Sequence, residues 1–118
     1  MVPFPSRRPK PERPDKPKKA KRFRSPAHLK FVREHACCAC HSYDQIEAAH
    51  VRSGTDGGMG MKPGDYWVIS LCRACHARQH AIGEGPFEEE TGIDTKYLAR
   101  QFVNVSPKRR ELERARDE

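Results

Sequence analysis

The sequence predicts a small α+β domain that needs disulfides or a bound metal ion for stability in addition to its apolar core. The chain has 118 residues, of which 36% are hydrophobic and 33% are charged, so it suits one small domain that buries little apolar surface. Two short strand patterns lie between helical patterns in its central part. Its five cysteines are the candidates to form those disulfides or to bind the metal ion.

The first 24 residues differ in composition from the rest of the chain. They hold ten Lys/Arg, two acidic residues and six prolines, whereas residues 25–118 hold thirteen Lys/Arg and fourteen acidic residues. Proline removes backbone donors and the positive charges repel one another, so we expect residues 1–24 to form a disordered basic arm. Such an arm favours polyanions through counterion release, and the alternative is a solubilising tail.

Ordered structure is expected to begin at Ser25, because serine is a good N-cap and Pro26 suits the first position of a helix. This helix should run to about Glu34. Local signals then predict a strand over 45–51, a glycine-rich loop over 52–65 and a second strand over 66–71. A helix is expected to continue from Cys72 until Gly83 and Gly85 end it, and an acidic turn follows over 86–91. The last elements are a helix over 94–103, which packs through Tyr97, Leu98 and Phe102, and a charged helix over 108–116. The domain is thus expected over 25–105, followed by a charged C-terminal helix over 106–118.

The cysteines form two pairs, Cys37-x2-Cys40 and Cys72-x2-Cys75, separated by 31 residues. Two residues between cysteines let both thiolates reach one tetrahedral ion, so the two pairs predict a structural zinc site. Cys38 is left over: it is either a small buried side chain or the replacement for Cys37 if the register differs by one.

The absence of an apolar signal segment or membrane-spanning run at sequence level predicts a cytoplasmic protein that does not span a membrane. In that reducing compartment, paired cysteines bind metals more often than they form disulfides. The same pairs, each followed by histidine at His41 and His76, also match the attachment pattern of c-type haems. Two haems would indicate an electron carrier, but such attachment normally takes place outside the cytoplasm, so we expect no haem.

Histidines supply the candidate chemistry. His76 and His80 are spaced i, i+4, which places two imidazoles on one helix face and within reach of one metal ion. His50 ends the first strand pattern, directly before the glycine-rich loop. Taken alone, the pair is as often a surface accident and His50 is more often structural. The remaining histidines, His28, His35 and His41, are expected to face solvent.

Several of these pieces together resemble a known family over about residues 36–82. The matching pieces are Cys-x2-Cys, then Ala-Ala-His50-Val-Arg, then the glycine-rich loop, then Leu71-Cys-Arg-Ala-Cys-His76-Ala-Arg-Gln-His80. They resemble the HNH nucleases with their ββα-metal core, and most of all the small phage- and prophage-encoded members, including the recombination-enhancement type.

The resemblance implies a role for each histidine of the motif. His50 would be the general base that activates water, and a neutral imidazole suits proton abstraction near pH 7. The alternative is that His50 is itself a metal ligand, which leaves the base unassigned. His76 and His80 would hold a divalent catalytic ion, Mg2+ or Mn2+, with Zn2+ as an alternative. The implied partners are DNA and, as in one subgroup of the family, a recombination protein in a bacterium or a phage-infected host.

The sequence departs from the family pattern at two places. Ala49 stands where many members have an acidic residue or histidine, and the only asparagine, Asn104, lies outside the motif. Asp65 is the candidate to take the catalytic role of the missing asparagine, and Asp56 is a second candidate; the alternative is that both are ordinary loop residues. Three arginines close to the motif are candidates for phosphate contacts, and the alternative is that they are solvated surface charges. They are Arg52, Arg73 and Arg78.

The sequence therefore predicts a zinc-stabilised ββα-metal core with flanking helices and a disordered arm. Its predicted function is a metal-dependent DNA endonuclease that hydrolyses phosphodiester bonds. The alternative is a non-catalytic, zinc-ribbon-like DNA-binding module, which would share the cysteine pairs but lack a base.

Overall fold

The computed structural model describes residues 23–52, 55 and 62–117. The predicted disorder of residues 1–22, most of the glycine-rich loop and the candidate Asp56 lie outside the described residues. Within them, the chain forms an α+β domain with one two-stranded sheet and five helices. In chain order the elements are α1 (Pro26–Arg33), β1 (Ile46–His50), β2 (Val68–Cys72), α2 (Arg73–Ile82), α3 (Glu84–Thr91), α4 (Thr95–Val105) and α5 (Arg109–Asp117).

The two strands form the centre of the fold. They are antiparallel, and their register pairs Ile46 with Cys72 and His50 with Val68. All five residues of β2 are buried, whereas β1 is mostly half-buried. Helices α1, α2 and α4 pack against β2, which is why it is covered. The main core contains Val32, Val51, Val68, Ile69, Leu71, Phe87 and Ala99.

Two helices begin where the sequence predicts. The Ser25 side chain accepts a hydrogen bond from the His28 backbone N–H, and Pro26 is the first residue of α1. Asp94 caps α4 by accepting from the Tyr97 N–H at 3.1 Å. These contacts satisfy N–H groups that have no partner inside a helix, and they confirm both predicted boundaries.

The segment after α2 differs from the prediction. Gly83, at a φ of 93°, ends α2, but Gly85 lies inside α3 and ends nothing. The expected single turn over 86–91 is a helix of eight residues. Its Phe87 is only 1% exposed, and burial of this side chain in the main core stabilises a helix that local propensity would not.

Two packing expectations were wrong. Tyr97 is 58% exposed, because α4 turns the face with Thr95, Ala99 and Phe102 toward the core. His28 does not face solvent: it is fully buried, and its Nδ1 lies 2.9 Å from Ser106 Oγ. Burial lowers the pKa of His28 to about 4, so it is neutral at pH 7.

The remaining predictions for exposed histidines had mixed outcomes. His35 is half-buried because its ring packs between those of Phe31 and Phe102. His41 is exposed, as expected.

In α5, Leu112 is fully buried in a second small core with Tyr66 and Val103. Among the described residues, no helix combines the length and apolar character needed to cross a membrane.

Candidate functional site

The cysteine cluster consists of Cys37, Cys40, Cys72 and Cys75, whose sulfur atoms all lie within 4.8 Å of one another. Both pairs use the same local turn: the Cys40 N–H points at Cys37 Sγ (3.5 Å), and the Cys75 N–H points at Cys72 Sγ (3.4 Å). The cross-pair distance from Cys40 Sγ to Cys72 Sγ is 3.6 Å. Four sulfurs bound tetrahedrally at about 2.3 Å would be roughly 3.8 Å apart, so the cluster fits one metal ion, and its ligand set is typical of structural zinc.

The electrostatics of the cysteine cluster also favour a cation. Burial opposes ionisation of Cys37, but backbone N–H groups, led by that of Cys40, outweigh it and lower the pKa of the thiol to about 6. Burial raises the pKa of Cys75, and the neighbouring sulfurs raise it further. Four thiolates at this separation therefore need a bound positive charge.

Cys38 lies outside the cysteine cluster, which settles the register. The Ser70 hydroxyl donates to Ala36 O at 2.7 Å, so the Cys38 thiol donates to Ser70 Oγ at 3.4 Å. Because both Cys-x-x-Cys pairs converge on one point, the geometry favours a single ion over two separate haem attachments.

A second group of residues surrounds His50, the last residue of β1. Its Nε2 lies 2.9 Å from Asp65 Oδ1, and the Asp65 side chain is only 1% exposed. Asp65 also accepts from the Ser25 backbone N–H at 2.8 Å and from Arg24 Nη1 at 3.0 Å. Burial alone would raise the pKa of Asp65, but these three hydrogen bonds hold it below its ordinary value of 3.8. Asp65 is therefore ionised at neutral pH.

The end of the basic arm helps to hold Asp65. Arg24 donates to Pro63 O at 2.6 Å as well as to the Asp65 carboxylate, and Phe23 O accepts from the Asp65 N–H at 2.9 Å. The sequence predicts Phe23 and Arg24 as the end of the disordered arm, and these contacts correct that boundary. Arg24 is one of ten basic residues there, and nothing in its local sequence distinguishes it from the others.

The third group lies on α2, beside β1. Nε2 of His76 and Nε2 of His80 are 3.1 Å apart, and Nδ1 of His76 lies 3.0 Å from Glu47 Oε1. Two nitrogens bound at about 2.1 Å to one ion are roughly 3.0–3.4 Å apart, so this pair fits a shared ion. Glu47 occupies the place of a carboxylate that orients a metal-bound histidine. It was not found in the sequence, because no spacing rule relates a strand residue to a helix 29 residues later.

A cleft, which we call the histidine cleft, lies against His50 of the second group and His80 of the third. It has a volume of about 320 Å3 and is lined by His50, Arg52, Gln79, His80, Gly83 and Glu84. The Arg52 backbone N–H donates to Glu84 Oε1 at 2.7 Å across it. Larger clefts lie elsewhere: one of about 500 Å3 between α3 and α4 contains neither histidine nor cysteine, and one of about 510 Å3 beside the cysteine cluster is lined by His35 and His41. The contact between His50 and Asp65 selects the histidine cleft as the candidate site.

A comparison with protein families matches residues 10–107 to the family described as "Protein of unknown function (DUF968)". This match covers most of the chain. The chain belongs to the DUF968 family. The match spans the cysteine cluster, the histidine cleft and α1–α4, and leaves out α5. No curated protein and no solved structure gave a significant match.

The three candidate arginines of this DUF968 chain have different surroundings. Arg52 is exposed and lines the histidine cleft. Arg73 is exposed at the first position of α2. Arg78 forms a two-fold ion pair with Glu90, with both contacts at 3.2 Å, which reduces the positive charge it offers to a ligand. Of the three, Arg52 alone lines the histidine cleft together with His50.

Proposed function

We propose that this DUF968 protein is a metal-dependent DNA endonuclease of the HNH type, with the histidine cleft as its active site. The contact between His50 and the buried, ionised Asp65 carries the proposal. The contacts with Ser25 and Arg24 give Asp65 a structural role, but they do not require its carboxylate also to meet a histidine on the edge of a cleft. Perturbed acids with a specific partner in a cleft are typical of functional sites.

Asp65 acts as a positioning residue for His50. An ionised carboxylate can only accept hydrogen bonds, so His50 Nε2 must donate to it. In the neutral imidazole this leaves the lone pair on Nδ1. Nδ1 can then take a proton from the water that attacks the phosphorus atom, and Asp65 stabilises the charge that His50 gains.

His76 and His80 would hold a divalent ion on the neighbouring helix face. When bound, Mg2+ or Mn2+ would act as a Lewis acid for the phosphate and the leaving oxygen, with Zn2+ as the alternative. Glu47 accepts from His76 Nδ1 and so leaves His76 Nε2 free to face His80. The described residues offer two ligands here, and water or substrate would complete the set.

The cysteine cluster would serve as the scaffold. Cys72 is both the last residue of β2 and the N-cap of α2, and Cys75 lies in the first turn of that helix. A zinc ion held there would fix the start of α2 relative to the sheet. The ion would thereby fix the direction of His76 and His80 relative to His50, and it would take no part in the chemistry.

DNA would be the substrate because its phosphodiester fits this chemistry and the basic arm adds non-specific affinity. A recombination protein as partner and a cytoplasmic location stay predictions of the sequence resemblance.

A plasmid-nicking assay with Mg2+ or Mn2+ tests the proposal, using His50→Asn and His41→Asn as a matched pair. Asparagine at 50 can still donate to Asp65 but cannot accept a proton, whereas His41 is exposed and its φ of 66° is one that asparagine tolerates. We expect His50→Asn to lose at least roughly 100-fold in nicking rate and His41→Asn to keep the wild-type rate, with zinc content unchanged in both. Equal background cleavage by wild type and His50→Asn would refute the nuclease and leave the non-catalytic DNA-binding module.

A further inference from the structure

Gln79 is the one buried residue of α2, and it is only 4% exposed. Its side-chain nitrogen, Nε2, is buried and has no hydrogen-bond partner among the described residues. Buried amide groups nearly always have a partner, because leaving a donor unpaired costs free energy. An apolar side chain of the same size would fill this place at lower cost, so packing does not explain the glutamine.

The position of Gln79 indicates the kind of partner. It lines the histidine cleft together with His50 and His80. Nε2 can only donate, so it suits an acceptor and is unable to bind a cation. Glu84, the carboxylate on the same cleft, already accepts from the Arg52 N–H. The missing partner is therefore an acceptor that enters the cleft with a ligand.

We propose that Gln79 Nε2 donates a hydrogen bond to a non-bridging oxygen of a phosphodiester bound in the histidine cleft. The bond would hold the phosphate between the base and the ion-binding histidines. The choice of phosphodiester rests on the proposed function, whereas the binding itself can be measured without catalysis. Gln79, which in the sequence is only a polar position between two histidines, is thereby assigned a substrate contact.

The side-chain amides of the chain allow a direct measurement by 1H–15N NMR. There are only four of them, in Gln45, Gln79, Gln101 and Asn104. Dimethyl phosphate is titrated into the zinc-loaded full chain as a phosphodiester probe. We expect a saturable shift of the Gln79 amide signals, and no shift of the signals of Gln101, which is exposed on α4.

Gln79→Met and Gln101→Met form the matched pair of variants. Gln79→Met removes the donor at nearly constant volume, so we expect its melting temperature to equal or exceed that of wild type. We also expect a loss of about tenfold or more in kcat/KM for nicking, whereas Gln101→Met should retain wild-type values. A buried glutamine that merely stabilised α2 would instead give a lower melting temperature.

The outcomes separate this inference from the proposed function. A Gln79 shift without any His50-dependent nicking would keep the phosphodiester contact and reject the nuclease. His50-dependent nicking with an unshifted Gln79 amide and a wild-type rate for Gln79→Met would keep the nuclease and reject the contact. An unshifted amide together with a destabilised Gln79→Met protein would show a structural role and overturn the inference.

Discussion

Replacing Asp65 by asparagine tests how the candidate base is held. Asn has the same shape but only one acceptor oxygen, and its NH2 group is a donor. Asp65 now accepts from three donors, on His50, Ser25 and Arg24. In Asp65→Asn the oxygen can serve Ser25 or His50, but the NH2 group would then face the other donor. His50 can relieve this clash only by moving its proton from Nε2 to Nδ1.

The structure gives the size of the expected effect. Hydrogen bonds to a charged partner contribute about 1.5–3 kcal/mol each, and Asp65 is almost fully shielded from water. Arg24 is 37% exposed, so its ion pair with Asp65 adds little to stability. We expect Asp65→Asn to lower the free energy of unfolding by about 2–4 kcal/mol at pH 7. The shift of the His50 proton to Nδ1 removes the lone pair of the base, so nicking should fall by roughly 100-fold or more.

The pH dependence follows from the lowered pKa of Asp65. A carboxyl whose pKa is lower in the folded state stabilises the fold above its ordinary pKa, which is 3.8 for Asp65, and this contribution is lost only as the pH falls toward the folded value. The difference in unfolding free energy between wild type and Asp65→Asn should therefore not decrease as the pH falls from 8 to 5. Urea unfolding of the zinc-loaded proteins measures this difference at each pH. Any effect of the cysteines is the same in both proteins and therefore cancels in the difference.

Asp44→Asn is the control, because Asp44 is exposed; its stability should stay within about 0.5 kcal/mol of wild type. Two results would refute the reasoning about Asp65. One is an Asp65→Asn protein as stable as the control. The other is a stability difference that decays between pH 8 and pH 5, since Asp65 would then titrate in that range and would not be ionised throughout it.

Three further predictions concern the metal sites and the arm. Cys72→Ser should release zinc and unfold much of the core, because structural zinc supplies folding energy; zinc analysis and near-UV circular dichroism measure this, and Cys38→Ser, outside the cluster, should keep its zinc. Glu47→Gln should weaken Mn2+ binding by about 10–100-fold, measured by titration of the nicking rate, with activity recovered at saturating Mn2+; an unchanged Mn2+ dependence would contradict the role of Glu47. Deleting residues 1–22 should weaken DNA affinity and flatten its salt dependence, measured by fluorescence anisotropy, and a large loss of thermal stability would show that this segment is part of the fold.

The parts of the site that depend on local spacing could be predicted from the sequence. Cys-x-x-Cys fixes both sulfurs within one turn, and the i, i+4 spacing fixes His76 and His80 on one helix face. The partners that cross the fold could not. Arg24 and Ser25 reach Asp65 from about forty residues away, and their own sequence neighbourhood contains no signal of that contact.

Burial caused the other differences from prediction. His28 is predicted to face solvent, yet it is fully buried, with Ser106 Oγ at 2.9 Å from its Nδ1. Tyr97 reads as a packing residue, yet the core-facing positions of α4 are already taken by Ala99 and Phe102. Periodicity identifies that a helix has two faces, but only the packing of its neighbours determines which face is covered.

The proposed nuclease requires His76 and His80 to bind a second ion, apart from the cysteine cluster and beside the cleft that contains His50. Anomalous difference maps at the zinc and manganese edges, from zinc-loaded crystals soaked in Mn2+, test it directly. We predict a zinc peak about 2.3 Å from each of the four sulfurs, and a separate manganese peak roughly 2 Å from Nε2 of both histidines. A zinc peak at the cysteines with no manganese peak at the histidine pair would contradict the account.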